Sequence, residues 1–368
     1  MLCIEIKATR PIIKVLKKLA NWVVKKSLSM KYKFFIGVDV SKHTLDVAIL
    51  ESSTNSTEHL QVSNNDDGLA DLYAKLNTYS GFNTDQVLFC IEPTGLYSYP
   101  LLQYLSKFNI DVWVENAVQI KRSIGLQRGK SDKVDAIRIA QYAFKNHENA
   151  RLWRPVREVV NKLKHLAALR ERLVNTKKML LVPVEELKKM GDKSTAALLE
   201  KSMKKSVTGI ENDIIAIEKQ MKDIIDNDSQ LSKLFNLVTS VVGIGFVTAV
   251  NLIIHTNEFT TLKDVRKLAC YCGIAPFEYS SGISIKGRKR VHPMANKKLK
   301  TNLHMASLSG VRLDSALKAY YERKVAEGKS KLSVLNAVKN KLLARVIAVV
   351  NRGTPYVKNN YTNHLVLS

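Results

Sequence analysis

Hydrophobic and polar positions change their period along the chain. Lys33-Phe-Phe-Ile-Gly-Val-Asp39-Val is a β-rich run, and Thr44-Leu-Asp-Val-Ala-Ile-Leu50 alternates as the second strand of a hairpin would. Leu69, Leu72 and Leu76 take helical spacing over 68–78. Gln86–Glu92 reads as a short buried strand that stops at Pro93-Thr-Gly95. It is followed by a helix over 97–108, a strand over 110–114, and a helix over 132–144 with Ile137, Ala140 and Ala143 on its apolar face. Strands alternating with helices predict an α/β sheet for residues 34–150.

From Val156 to about Leu237 the pattern is wholly helical. Ile210, Ile214, Ile217, Met221 and Ile224 alternate steps of four and three, an a/d seam. Gly191-Asp-Lys193 sits near the middle, so two long helices are expected to fold back as an antiparallel arm over 151–237. The stripe fits either packing within one chain or a dimerisation coiled coil. Residues 238–320 are mostly helical, interrupted by Val242-Gly-Ile-Gly245 and a Gly-containing basic stretch at 282–290, and 321–368 reads as a basic helical tail. Residues 1–30 read as a basic amphipathic helix within a basic extension over 1–33, which is expected to be dispensable.

Charge sharpens this division. The 368 residues carry 58 Lys plus Arg against 33 Asp plus Glu, a net of +25. Such a surplus points to a polyanionic partner, most often nucleic acid. It is uneven: 34–150 hold 10 basic and 14 acidic residues (net −4), whereas 279–313 hold 8 basic and no acidic residue (net +8). No apolar run approaches the roughly 20 residues that span a bilayer. Four cysteines (Cys3, Cys90, Cys270, Cys272) lack disulfide or zinc spacing, so a reduced, cytoplasmic protein is expected.

The acids of the acidic block carry the candidate chemistry. Asp39 lies within the first strand and Glu92 ends a later one. Asp132 and Asp135 are three apart at a helix start, hence neighbours on one face. A carboxylate in apolar surroundings is costly unless it is paired or binds a cation, and clustered carboxylates are the hard oxygen ligands that Mg²⁺ or Mn²⁺ prefers. Each acid has a plainer alternative: Asp132 as a helix cap, Glu92 as a strand end. Asp46, also on a strand, reads as a solvent-face acid.

In the second half, Gly243 and Gly245 resemble the hairpin of a helix-hairpin-helix, whose glycines let backbone N–H groups approach a phosphate. Tyr279-Ser280-Ser281-Gly282 precedes Lys286-Gly-Arg288-Lys289-Arg290, with Lys297 and Lys298 beyond. This segment reads either as a turn in a phosphate-binding surface or as a serine nucleophile among stabilising cations.

The order of the acids resembles the RNase H-like nucleases of RuvC type. Taken together, Ile36-Gly-Val-Asp39-Val-Ser-Lys42, Ile91-Glu92-Pro-Thr-Gly95, Lys130-Ser-Asp132-Lys-Val-Asp135-Ala136, Gly243-Ile-Gly245 with Thr248-Ala249, Gly273-Ile-Ala-Pro276 and Ser280-Ser281-Gly282 resemble the one-ten family of DEDD-motif insertion-sequence transposases. The resemblance covers roughly residues 34–320. It implies a RuvC-like domain, a helical coiled-coil region and a mainly α transposase domain. It also implies that Asp39, Glu92, Asp132 and Asp135 hold divalent metal and that the nucleophile is Ser281, with Ser280 its rival. The implied partners are double-stranded DNA of the element ends and target, a noncoding bridge RNA and further copies of the chain, with no membrane. One departure is visible: Arg290-Val-His-Pro-Met294 stands where the family has a Gly-containing turn. Two other classes remain open from the residues alone: a metal-only junction nuclease using water, and a non-catalytic nucleic-acid-binding protein.

Overall fold

The computed structural model describes residues 31–124, 129, 131–281 and 285–357, without the side chains of Ile124 and residues 277–290. The basic extension before residue 31, Lys130, and Gly282 of the Ser-Gly motif lie outside the described residues. The chain divides into two compact units, 1–155 and 156–368.

The first unit is built on a five-stranded sheet. Its strands are β1 (Phe34–Val40), β2 (Thr44–Glu51), β3 (Thr57–Ser63), β4 (Val87–Ile91) and β5 (Asp111–Val114), in the order β3-β2-β1-β4-β5. β1, β2 and β3 pair antiparallel, whereas β4 lies parallel to β1 and β5 parallel to β4. Among the described residues, four α-helices accompany the sheet: α1 (Asp66–Asn77), α2 (Tyr99–Lys107), α3 (Ala117–Ile124) and α4 (Asp132–Asn146). One face of the sheet (Phe34, Ile36, Val38, Val47, Ile49, Phe89) packs in a core with Leu69, Leu72 and Leu76 of α1 and Leu101 and Leu105 of α2. The other (Phe35, Ala48, Leu50, Leu88, Cys90, Trp113) packs against Ala136, Ile139, Ala140 and Ala143 of α4. β4, and β1 as far as Val38, read as unbroken apolar runs because both faces are covered. Gly37 makes the second contact close: a Cβ there would stand 2.2 Å from the Ala140 amide nitrogen and 2.3 Å from the Ala136 carbonyl oxygen.

β3 escapes the sequence reading. Its Thr-Glu-His-Leu-Gln-Val-Ser is polar because it is an edge strand facing water along much of its length. Tyr32 is buried and its hydroxyl donates to Asp111 at 2.8 Å, so the fold is already engaged ahead of β1.

The second unit begins with two long helices, α5 (Glu158–Met190) and α6 (Lys193–Asp226), joined through Gly191 and Asp192. Gly191 adopts φ +90° at the end of α5, and the Asp192 carboxylate accepts from the Thr195 amide to start α6. Ion pairs fix an antiparallel register: Arg170–Glu218 at 2.6 Å, Lys177–Glu211 at 2.5 Å and Lys188–Glu200 at 2.7 Å. Seven residues up α5 match seven down α6, and the next eleven match eleven. Ile217 and Met221 of the expected seam are buried, joined by Ile225 rather than Ile224, while Ile210 and Ile214 are only half-buried.

A helical core follows: α7 (Ser229–Thr239), α8 (Phe246–His255), α9 (Val265–Tyr271), α10 (Lys297–Leu313), α11 (Ser315–Ala326) and α12 (Lys331–Arg352). Leu163 and Ala167 of α5 and Ile217, Met221 and Ile225 of α6 belong to this core, so the arm is rooted in it. Between α9 and α10 lies an antiparallel hairpin, β6 (Phe277–Ser281) and β7 (Ile285–Arg290). The basic stretch expected as a loop is therefore a strand for six of its residues, its charges interleaved with Ile285 and Gly287. Among the described residues, no helix is long and apolar enough to cross a membrane.

Candidate functional site

Register decides where the acids point. Side chains alternate faces along a strand, so Asp39 shares the α4-facing side of β1 with Phe35 and Gly37. Asp46 of β2 is the direct cross-strand partner of Asp39, and Gln61 of β3 is the partner of Asp46. On β4, Leu88 and Cys90 face α4; the same alternation carries Glu92, one residue past the strand, onto that side. α4 then delivers Asp132 and Asp135 in its first turn.

Ser131 is the N-cap of α4, its hydroxyl accepting from the Val134 amide at 3.3 Å. That removes the plainer explanation of Asp132, which is exposed and free of the capping role. Asp135 is half-buried and paired with Arg138 at 2.9 Å. Glu92 is half-buried, its carbonyl accepting from the Thr94 hydroxyl at 3.2 Å as the chain turns into Gly95.

Asp39 carries the strongest electrostatic signal. Its carboxyl is pushed up to about 6, first by burial and then by the charges of Asp132, Asp135, Glu92 and Asp46. Among the described residues no hydrogen bond or ion pair holds it. Four other carboxylates therefore converge on one half-buried acid with no compensating cation. Among the described residues no group of three or more His, Cys, Asp and Glu is spaced to hold a metal ion, so the acids share one face without closing into a cage.

Asp46 corrects the sequence reading. It is 4% exposed rather than on a solvent face, and accepts from Gln61 Nε2 at 3.0 Å and pairs with His59 Nε2 at 2.9 Å. Both partners sit on β3, the strand that hydrophobic periodicity did not reveal. The buried Cys90 and Cys272 are free thiols, and burial pushes Cys272 up to about 12, away from nucleophilic use.

In the second unit, Gly243 adopts φ +98°, and a Cβ there would stand 2.8 Å from both the Ala306 carbonyl oxygen and the Gly310 Cα of α10. Its freedom serves packing between helices. Gly245 is exposed at the N-terminus of α8, with open space where a Cβ would be. Backbone register pairs Ser280 with Lys286 and Ser281 with Ile285; Arg288 and Lys289 also lie on β7, and Arg290 pairs with Phe277. The side chains of Ser280, Ser281, Lys286, Arg288, Lys289 and Arg290 lie outside the described residues. Lys297 is exposed at the start of α10, whereas Lys298 is half-buried and paired with Glu171 of α5 at 2.7 Å. Lys298 thus ties the arm to the helical core.

Two family models match the chain. One, described as a transposase, covers residues 36–182. The other, described as the Transposase IS116/IS110/IS902 family, covers residues 235–322. A pilin gene-inverting protein of Moraxella bovis is 26% identical over 331 residues, 89% of this chain and 98% of the relative. The same-named protein of Moraxella lacunata matches to the same extent. An insertion element IS110 protein of Streptomyces coelicolor is 27% identical over 162 residues, 44% of this chain and 39% of that protein.

Proposed function

Because the chain belongs to the IS110 family of transposases, we propose that it is a divalent-metal-dependent DNA recombinase whose first unit is a RuvC-like metal domain. The observation that carries this reading is the convergence of Glu92, Asp132 and Asp135 on the unpartnered Asp39. The mixed sheet order β3-β2-β1-β4-β5 supports the RNase H-like assignment. Names of the full-length relatives support recombination, since inverting a gene requires cutting and rejoining both of its ends.

The donor set fits Mg²⁺ or Mn²⁺: four carboxylates on one face, all hard oxygen ligands, with an excess of negative charge at Asp39. When bound, the metal supplies Lewis-acid stabilisation of charge at the phosphate. Asp39, Glu92 and Asp132 would supply free carboxylate oxygens, and Arg138 orients Asp135. The Oγ of Ser281 attacks a DNA phosphorus, forming an Oγ–P bond as the P–O bond to the leaving deoxyribose breaks and that oxygen takes up a proton. A deoxyribose hydroxyl of the incoming strand then reverses the step and restores the serine. The cations of β7 and Lys297 hold the DNA backbone. A bridge RNA that pairs with target and donor DNA would relieve the protein of base reading, in keeping with the lack of a base-reading motif in the sequence, and copies of the chain act together on the paired ends.

Covalent trapping tests this reading. With labelled element-end DNA and Mg²⁺, denaturing gels should show protein joined to DNA, lost in Ser281→Ala and retained in Ser280→Ala. Cleavage without any covalent adduct would replace the serine by water and make the protein a metal-only nuclease.

A further inference from the structure

Lys339 stands at an unusual place for a lysine. It lies on α12 between Val338 and Leu342 of the helical core, and the residue is only 6% exposed. Among the described residues no carboxylate pairs with it. The charged group that acts on it is another cation, Lys300 of α10, itself without an ion-pair partner among the described residues. Burial, then Lys300, lowers the affinity of Lys339 for its proton. Lys339 is buried while Lys300 is exposed, and a buried lysine without a paired acid is settled by giving up its proton or by gaining an anion.

The neighbourhood places Lys339 beside the segment that leads into β6. One turn before Lys339, Asn336 donates from Nδ2 to the Ile274 carbonyl at 2.6 Å, which fastens α12 to the segment 273–276. The Lys300 stem reaches the same segment: its Cδ is 3.7 Å from where a Cβ on Gly273 would stand. Gly273, at φ +65°, is already wedged against Ala295 and Val291, which leaves no slack there. Pro276 is followed directly by β6, the strand that ends in Ser280 and Ser281. The two lysines thus sit near the root of the basic hairpin, where Glu278 of β6 is followed by no acid over 279–313.

We propose that Lys339 and Lys300 together bind one backbone phosphate of the nucleic-acid substrate at the root of the β6–β7 hairpin, a contact that rests on the recombinase reading above. The phosphate would supply the counter-charge that the helical core withholds, and would fix the substrate backbone relative to β6. Lys339 is then a positioning residue, acting through the phosphate it holds.

The test compares the full chain with Lys339→Met and Lys339→Arg, using fluorescence anisotropy on a short DNA duplex and on an RNA hairpin across a salt series. Lys339→Met should bind several-fold more weakly at moderate salt. Its plot of log affinity against log salt should be shallower by about one, as loss of a single phosphate contact requires. Lys339→Arg should keep most of both. Melting of the free Lys339→Met protein should be unchanged or higher, because an uncompensated buried charge has been removed. Loss on DNA alone or on RNA alone assigns the phosphate to that strand. Wild-type affinity and slope in Lys339→Met on both ligands would overturn the proposal while leaving the recombinase reading intact. Failure of the wild-type chain to bind either ligand would overturn both.

Discussion

Asp39 and Asp46 face each other across the antiparallel pair β1–β2, yet of the two only Asp46 is held by hydrogen bonds, from His59 and Gln61. The sheet thus presents one hydrogen-bonded and one unpartnered carboxylate side by side. The second sits beneath the first turn of α4, where Asp132 and Asp135 add to the repulsion.

The pH dependence of stability should report this arrangement. An acid whose carboxyl is raised in the fold contributes stability that is full below about pH 4, its unfolded range, and is lost as pH climbs through about 6. Metal-free protein should therefore melt at progressively lower temperature between those values, and Mg²⁺ at pH 8 should recover the loss. A melting temperature that rises over this range, with no response to Mg²⁺, would remove Asp39 as the uncompensated group.

Asp39→Asn should abolish strand exchange while stabilising the metal-free protein by about 1 kcal/mol, after allowance for screening at a half-exposed site. Calorimetry in chelator, paired with a recombination assay, checks both halves. Binding to duplex DNA should be little changed, since the role proposed for the acids is to hold metal rather than phosphate.

Asp46→Ala should behave in the opposite way. It strips His59 and Gln61 of a buried acceptor and should cost about 1–3 kcal/mol in urea unfolding. Asp46→Asn keeps an acceptor oxygen and should cost less.

Gly37→Ala places a methyl group against the backbone of α4 at Ala136 and Ala140. Backbone cannot rotate away as a side chain can, so the helix must shift. A loss of about 3 kcal/mol or more is expected, together with weaker Mg²⁺ binding because Asp132 and Asp135 move with α4. Unfolding and metal titration by calorimetry measure the two effects separately.

Asp314 is 2% exposed, caps α11 through the Leu317 amide at 2.9 Å and pairs with Arg345 of α12 at 2.8 Å. Asp314→Ala removes the cap and leaves Arg345 unpaired. Chemical denaturation should show a loss of about 3–5 kcal/mol.

Strands β1, β2, β4 and β5 were legible because their apolar runs stand out between polar and turn residues. The arm was legible from Gly191 and the seam around Ile217 and Met221. β3 was not, since an edge strand has little apolar face to display, and the burial of Asp46 vanished with it. The acids could be ranked from strand position and helix start alone. The capping role of Ser131, which frees Asp132, needed the backbone. Lys339 was hidden for another reason: in a basic sequence a lysine reads as one more solvated charge, and only packing reveals it as buried.

The two-residue connection between α5 and α6 has a consequence for how such an arm changes over evolutionary time. Each helix spans about 50 Å at 1.5 Å per residue, and the ion pairs from Arg170–Glu218 to Lys188–Glu200 leave no slack between them. Inserting one residue in α5 would swing every position beyond it by about 100° and mismatch the whole distal register. Length can therefore drift only through paired insertions or deletions of whole turns in both helices, which makes the arm a ruler graduated in steps of about seven residues.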